Sequence, residues 1–414
     1  MPGTDVEVVV VGGGAAGVAA ARRLCDAGVD CLIVEARARL GGRAWTVTDA
    51  SGVALDLGCG WLHSADRNPW VAVAQKQGAS IDKTSPAWER PSPVAFPRAE
   101  HDQYHEAMDR FFARLEQVAA NEIDVPAAAA LEPGCRWNGL INAISTYISG
   151  AEWDRVSAKD FDRYADSGVN WRVVEGLGSV VAAAGAKLPA MLDCPVHGVD
   201  HSGKRLRVET TRGAIAADQV IVTIPSTLLA KEQIKFTPAL PKKTHAAQGL
   251  PLGLDDKLFM ALDGAEEFER DTRVFAHTDR AATAAYQFKP LGRPQIEAFF
   301  GGNLAAELEA GGDGAFFEFA VAELVGVFGS AFARRLKPIR IHRWGLDPFA
   351  LGAYSYALPG YADCRATLAE PVDDRMFFAG EACSTHDFST AHGGFNTGVA
   401  AADQVIAARR KVQK

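Results

Sequence analysis

Long apolar runs are missing from this sequence: no window of its 414 residues approaches the ~20 consecutive apolar residues of a membrane-spanning helix. The start, "MPGTDVEVVVVGGG", carries no basic region ahead of a cleavable apolar core. Neither an integral membrane segment nor an export signal is expected, and the chain reads as cytoplasmic. Cysteine is sparse and unpatterned. The seven residues (Cys25, Cys31, Cys59, Cys135, Cys194, Cys364, Cys383) are odd in number and form no CxxC pair, which argues against a disulfide framework and against a metal site. A basic excess is lacking too. The net charge of −8 disfavours a nucleic-acid partner, and the basic end "ARRKVQK" reads as a solvated helix terminus. No internal repeat of fixed period is visible.

What is present is an ordinary globular composition, 48% hydrophobic and 23% charged, on a chain long enough for at least two domains. "VEVVVV" is an unbroken β-branched run suited to a strand buried on both faces of a parallel sheet. "GGGAAG" follows at once, then a helix from Ala15 to Ala27, then "CLIVEA", a second buried strand that ends at Glu35. Gly12, Gly14 and Gly17 stand in G-x-G-x-x-G register. The first allows a tight turn, the second lets backbone approach a pyrophosphate, and the third lets the helix pack closely. Helix N–H groups from Ala15 onward would face the phosphates, and Glu35, about 20 residues on, would accept the ribose hydroxyls beside Ala36. That order of elements predicts dinucleotide binding without deciding between FAD and NAD.

Further along, residues 53–63 read as extended segments broken by glycines, and the four prolines of 86–97 mark a crossing between domains. Met108, Phe111, Phe112, Leu115 and Val118 recur at helical spacing within 101–123, and 126–160 stays mostly helical in character. Residues 169–188 read as a helix followed by short strands. An apolar helix is expected near 314–333 and a final one from Gly393 to Arg409. "FALGAYSYALPG" (349–360) reads as a strand that would turn Tyr354 and Tyr356 to one side.

"EARARLGGRAWT" (35–46) resembles the segment that follows the dinucleotide fingerprint in the flavin-containing amine oxidase family, which includes the monoamine and polyamine oxidases. "DLGCGWLHSADRNP" (56–69), "EGLGSVVAAAGAKL", "CPVHGVD", "ADQVIVTIPSTLL", "GLDDKLFM", "RWGLDPFALGAYSY" and "FFAGEACSTHDFSTAHGGFNTGVAAADQVI" resemble successive stations of that family. The match leaves 86–165 and 260–335 poorly anchored. The resemblance implies an α/β chain with a Rossmann-like FAD-binding domain (GR2-type) built from 1–85, 170–230 and 340–414. A discontinuous α+β substrate-binding domain would come from 86–169 and 231–339.

It further implies that FAD is held by Gly12, Gly14, Ala15, Gly17, Glu35, Ala36, Gly41, Gly42, Arg43, Gly58, Gly60, Trp61, Val196, Gly380, Glu381, Gly394 and Phe395. Lys257, Tyr354, Phe395 and Trp344 would form the reacting centre. Lys257 would be the cation that holds a water against the flavin, Tyr354 one wall of an aromatic cage and Phe395 the other. His63 either meets substrate with Tyr354 or is a satisfied structural histidine, and His392 supports the flavin loop. In relatives that bind FAD covalently through this strand a cysteine precedes the cage tyrosine. Here that position is Ala353, so the FAD is expected to be non-covalent. The implied reaction oxidises a polyamine-like or other primary or secondary amine to an imine by hydride transfer, with oxygen reduced to hydrogen peroxide. The small-molecule amine and oxygen would be the partners, and a homodimer is compatible with this reading. The alternatives are a carbon–carbon desaturase or protoporphyrinogen oxidase-like enzyme, an amino-acid oxidase, disfavoured because no arginine is obviously placed for a carboxylate, and a non-enzymatic flavoprotein.

Overall fold

A computed structural model describes residues 5–90 and 98–412. Residues 1–4, 91–97, which hold three of the four prolines of the crossing, and 413–414 of the basic end lie outside it. The strand Asp5–Val11 forms the spine. It pairs in parallel with Gly213–Val222 on one side and Cys31–Val34 on the other, and Ala190–Met191 and Met376–Phe378 extend the parallel set. Leu206–Thr210 and Val196–Asp200 add an antiparallel meander, with Lys235–Thr237 at the far edge. The β-branched run of the spine is buried on both faces. Val8 and Val10 pack with Ala20, Leu24, Ala402 and Val405 of the helices Ala15–Asp26 and Ala391–Val412, whereas Val9 and Val11 pack with Val199, Val208 and Val220.

A second sheet of five antiparallel strands runs in the order Thr272–Phe275, Ala285–Phe288, Gln295–Gly301, Asp255–Leu262, Leu336–Ile341. Side chains alternate across it with period two. Leu258, Met260, Ile296, Ala298 and Phe300 join the core with Leu304, Phe316 and Leu324 of the helices Gly302–Gly311 and Asp313–Phe328. The opposite face carries Lys257, Phe299, Ala285, Gln287, Arg273 and Phe275, all of which line a cavity. A third cluster, with Phe111, Trp137, Leu140 and Trp153, joins the helices Arg98–Ala119 and Asn138–Ile148. The fold is α/β, with a largely parallel sheet and a separate antiparallel one.

Four local expectations change. Residues 171–173 are a strand, Trp171–Val173, before the helix Leu177–Gly185 begins. The stretch 126–160 holds one α-helix of full size, Asn138–Ile148, between a short 3-10 turn and the five-residue helix Ala158–Asp162. The apolar helix stops at Phe328, because Gly329 takes φ +88°, and a 3-10 segment Ser330–Arg335 follows. "FALGAYSYALPG" is not a strand. It makes irregular backbone bonds to 249–253, with a single bridge of Ser355 to Leu252 in place of a ladder, and the two tyrosines part company. Tyr354 lines the cavity, whereas Tyr356 is buried with Phe111 and Trp153.

Candidate active site

One cavity of about 1050 Å³ runs between the sheets. At one end it is walled by Gly12, Gly14, Ala15, Glu35, Ala36 and Val196, and at the other by Lys257, Tyr354, Trp61, His63 and Trp344. Gly41, Gly42, Arg43, Gly58, Gly60, Gly380, Glu381 and Gly394 lie along it as well. Residues scattered over the whole sequence therefore share one space.

The first end fits a dinucleotide. The helix Ala15–Asp26 has no side-chain cap, so its first N–H groups are available to an anion. A Cβ built on Gly14 would find nothing nearer than Gly41 O and Gly42 Cα, each at 3.9 Å, so any side chain there would fill the cradle. Glu35 accepts from Gly13 N at 2.6 Å and Arg37 N at 2.8 Å, which fixes its carboxylate at the strand end. Gly17 is placed differently from the other fingerprint glycines. It does not line the cavity; a Cβ there would lie 1.9 Å from Gly12 O, so its task is close packing of helix on turn.

At the other end, Lys257 is 5% exposed, and its Nζ lies 3.0 Å from Glu297 Oε1 while donating to Asp56 O at 3.2 Å. Burial alone would lower its pKa, but Glu297, Asp56 and Asp255 outweigh that and raise it, so the side chain is a cation. Asp255 lies two residues before it on the same strand face. Burial pushes its carboxyl up to about 8 against the opposing pull of Lys257 and Tyr354. That shift favours its protonated form far beyond an ordinary carboxyl. Asp256 points the other way, accepts Trp344 N at 2.9 Å, and is held well above the usual carboxylate range by burial and by Glu309. Trp344 is pinned again by its Nε1, which donates to Leu57 O at 2.9 Å.

Tyr354 donates its hydroxyl to Tyr147 O at 2.6 Å, which ties the cavity wall to the helix Asn138–Ile148. His63 shares a 2.6 Å hydrogen bond between Nδ1 and Asn170 Oδ1, and burial lowers its pKa, which favours the neutral ring. His392 is 2% exposed, lies 3.4 Å from Asp387 Oδ1 through Nε2, and is lowered to about 4 by burial despite that carboxylate. It is absent from the cavity lining.

Phe395 does not stand where a second cage wall was expected. Trp70 donates its Nε1 to Ala391 O at 3.0 Å beneath the start of the last helix, and the Phe395 ring packs edge-on against Trp70 at 5.1 Å. Thr390, Ala391 and Gly394 face the cavity in its stead. Sequence reasoning missed Glu297, Asp255, Tyr147 and Arg273. Period-two alternation counted back from Lys257 would have found Asp255. The others sit in segments with no motif.

The sequence model of the family described as flavin containing amine oxidoreductase matches residues 15–146 and 137–406. Polyamine oxidase 4 of Oryza sativa subsp. japonica is 28% identical over 96% of this chain and 88% of its own length. Probable polyamine oxidase 4 of Arabidopsis thaliana is 30% identical over 95% and 86%. Lysine-specific histone demethylase 2 of Homo sapiens is 26% identical over 97% of this chain and 53% of its own. Among solved structures, wild-type putrescine oxidase bound to putrescine superposes with a TM-score of 0.80 at 19% identity, covering 98% of this chain and all of that one.

Proposed function

The chain belongs to the flavin-containing amine oxidoreductases and is an oxidoreductase acting on amines, and on that footing we propose that it uses non-covalent FAD to oxidise a primary or secondary amine of polyamine-like length to an imine. The observation that carries the proposal is the single cavity, which joins the uncapped helix N-terminus and Glu35 to Lys257 and Tyr354. When bound, FAD supplies the two-electron acceptor for the substrate's C–H hydrogen and returns the electrons to oxygen as hydrogen peroxide.

The protein's part is to present the amine neutral and oriented. An aliphatic ammonium, with a pKa near ~10.4, has no lone pair to assist loss of hydride. The apolar walls Phe299, Phe275 and Trp61 disfavour the charged form, and the Lys257 cation disfavours it further. Tyr354, held by Tyr147, sets the direction of approach. Lys257 and the Tyr354 wall favour the amine over the carbon–carbon reading. An anaerobic bleaching screen with mono-, di-, poly- and aryl amines tests the proposal: bleaching by an amine, and peroxide release in air, are expected. Bleaching only by an unsaturated or cyclic lipid-like compound would refute it.

Two further outcomes follow. Acid precipitation is expected to leave the flavin in the supernatant. Ala353 cannot form a thioether, and burial pushes the thiols of Cys59, on the cavity, and Cys383 up to about 12, far from the reactive thiolate. Flavin absorbance in the pellet would contradict this. The pH profile of flavin reduction is expected to rise and then flatten near pH 8, where Asp255 ionises and its new charge begins to favour the ammonium form of the substrate. Asp255→Asn should remove the flattening; an unchanged profile would assign the inflection elsewhere.

A further inference from the structure

We propose that Arg273 is the anion-recognising end of the substrate cavity, so that the amine oxidised here carries a carboxylate at the end remote from the reacting C–N bond. The proposal rests on the amine-oxidation reading and narrows it.

The argument begins with the sheet. Residues 272–275 form the strand three steps from Asp255–Leu262, so at the usual strand spacing its backbone lies about 14 Å from that of Lys257. The register runs Lys257, Phe299, Ala285, Phe275 in one row and Glu297, Gln287, Arg273 in the next, and Lys257, Phe299, Phe275 and Arg273 all line the cavity. The aromatic rings pave the floor between two cations. The Arg273 guanidinium lies over the Phe275 ring at 4.5 Å from its centre, and the phenols of Tyr104 and Tyr147 are its electrostatic neighbours.

Its state differs from that of the other inward guanidiniums. Arg43 pairs with Glu381, Arg37 with Asp347, Arg172 with Asp271 and Asp82, and Arg365 with Asp160. Arg293 donates to the carbonyls of Ala54 and Val174. Among the described residues no carboxylate forms an ion pair with Arg273, and the undescribed stretches 1–4, 91–97 and 413–414 contain no Asp or Glu. A half-buried guanidinium with its fork of donors turned to a cavity and no acid beside it is suited to a carboxylate, which it can meet with two parallel hydrogen bonds. A diamine would instead set its second ammonium against this cation.

The test uses the flavin-loaded enzyme and three matched series of straight-chain compounds of equal length: ω-amino acids, α,ω-diamines and alkylamines. Wild type is expected to prefer the ω-amino acid to the diamine by about tenfold or more in kcat/KM. Arg273→Met should abolish that preference through KM, and Arg273→Lys should keep part of it. A straight-chain alkanoate without an amine should compete with substrate in the wild type, a readout that stands even if Arg273→Met does not fold. Equal or better use of diamines, an unchanged ratio in Arg273→Met, or no competition by the alkanoate would overturn the assignment while leaving amine oxidation in place. Failure of all three series to reduce the flavin would overturn both.

Discussion

Lys257→Met is expected to slow flavin reduction by an amine about 100-fold at neutral pH, with the deficit shrinking as the pH approaches that of free amines. A charge within ~4–6 Å moves a pKa by about 1–3 units, and each unit is a tenfold change in the neutral, reactive fraction below the pKa. The substitution also reverses the local sign. Lys257 is held at 3.0 Å by Glu297, so its removal leaves that carboxylate unopposed to stabilise an ammonium. Above the amine's own pKa the substrate is neutral in either protein, and the electrostatic part of the loss should vanish. A purely structural role would give a deficit independent of pH. Stopped-flow reduction traces across the alkaline range decide between the two. Glu297→Gln provides the converse: with the counter-ion gone, the cation should act on the substrate less opposed, and the profile should shift toward lower pH.

The dinucleotide end was legible in the sequence because its signal is local. A strand, three glycines, a helix and an acid occupy 31 consecutive positions from Asp5 to Glu35, and each residue's task follows from backbone geometry. Lys257 and Tyr354 were reached only through resemblance. Nothing in "GLDDKLFM" says which alternate face of that strand meets a cavity until the partner strands are known. Glu297 and Arg273 were illegible for the same reason: they belong to strands whose neighbours are fixed by long-range pairing, and in isolation each is an ordinary charged residue. Phe395 differs: its ring packs edge-on against the indole of Trp70 and is absent from the cavity lining, a long-range contact that its place in the motif does not reveal. The "FALGAYSYALPG" stretch has the composition of a strand, but it forms no regular ladder: Ala353, Tyr354, Tyr356 and Leu358 bond backbone to backbone with 249–253, and side chains hold Ser355.

Those partners make the second large effect. Arg365 is fully buried; its Nε and Nη2 meet Asp160 Oδ1 and Oδ2 at 2.7 and 2.8 Å, and its Nη1 donates to Ser355 Oγ at 2.9 Å. Ser355 Oγ in turn donates to Glu381 Oε2 at 2.6 Å. Arg43 Nη1 donates to Glu381 Oε1 at 2.9 Å and to Ala353 O at 2.7 Å. With Ser355 N and Ser389 N as its remaining donors, the Glu381 carboxylate is saturated. One chain of charge-assisted bonds thus sets the backbone on both sides of Tyr354 and the loop around Glu381 that lines the cavity. Arg365→Met leaves Asp160 buried without its partner and is expected to cost about 3–5 kcal/mol in denaturant unfolding. Asp160→Asn combined with Arg365→Met should recover part of that, because the orphaned charge is gone. Burial would raise the Glu381 carboxyl, but Arg43, Ser355 and Arg365 hold it below its ordinary 4.5. Its contribution is therefore present above that pH and lost as the pH falls through the depressed value. Acid should release flavin from wild type before global unfolding, and from Arg365→Met at higher pH. Equal stability of Arg365→Met and wild type would show that this chain of bonds does not hold the backbone around Tyr354.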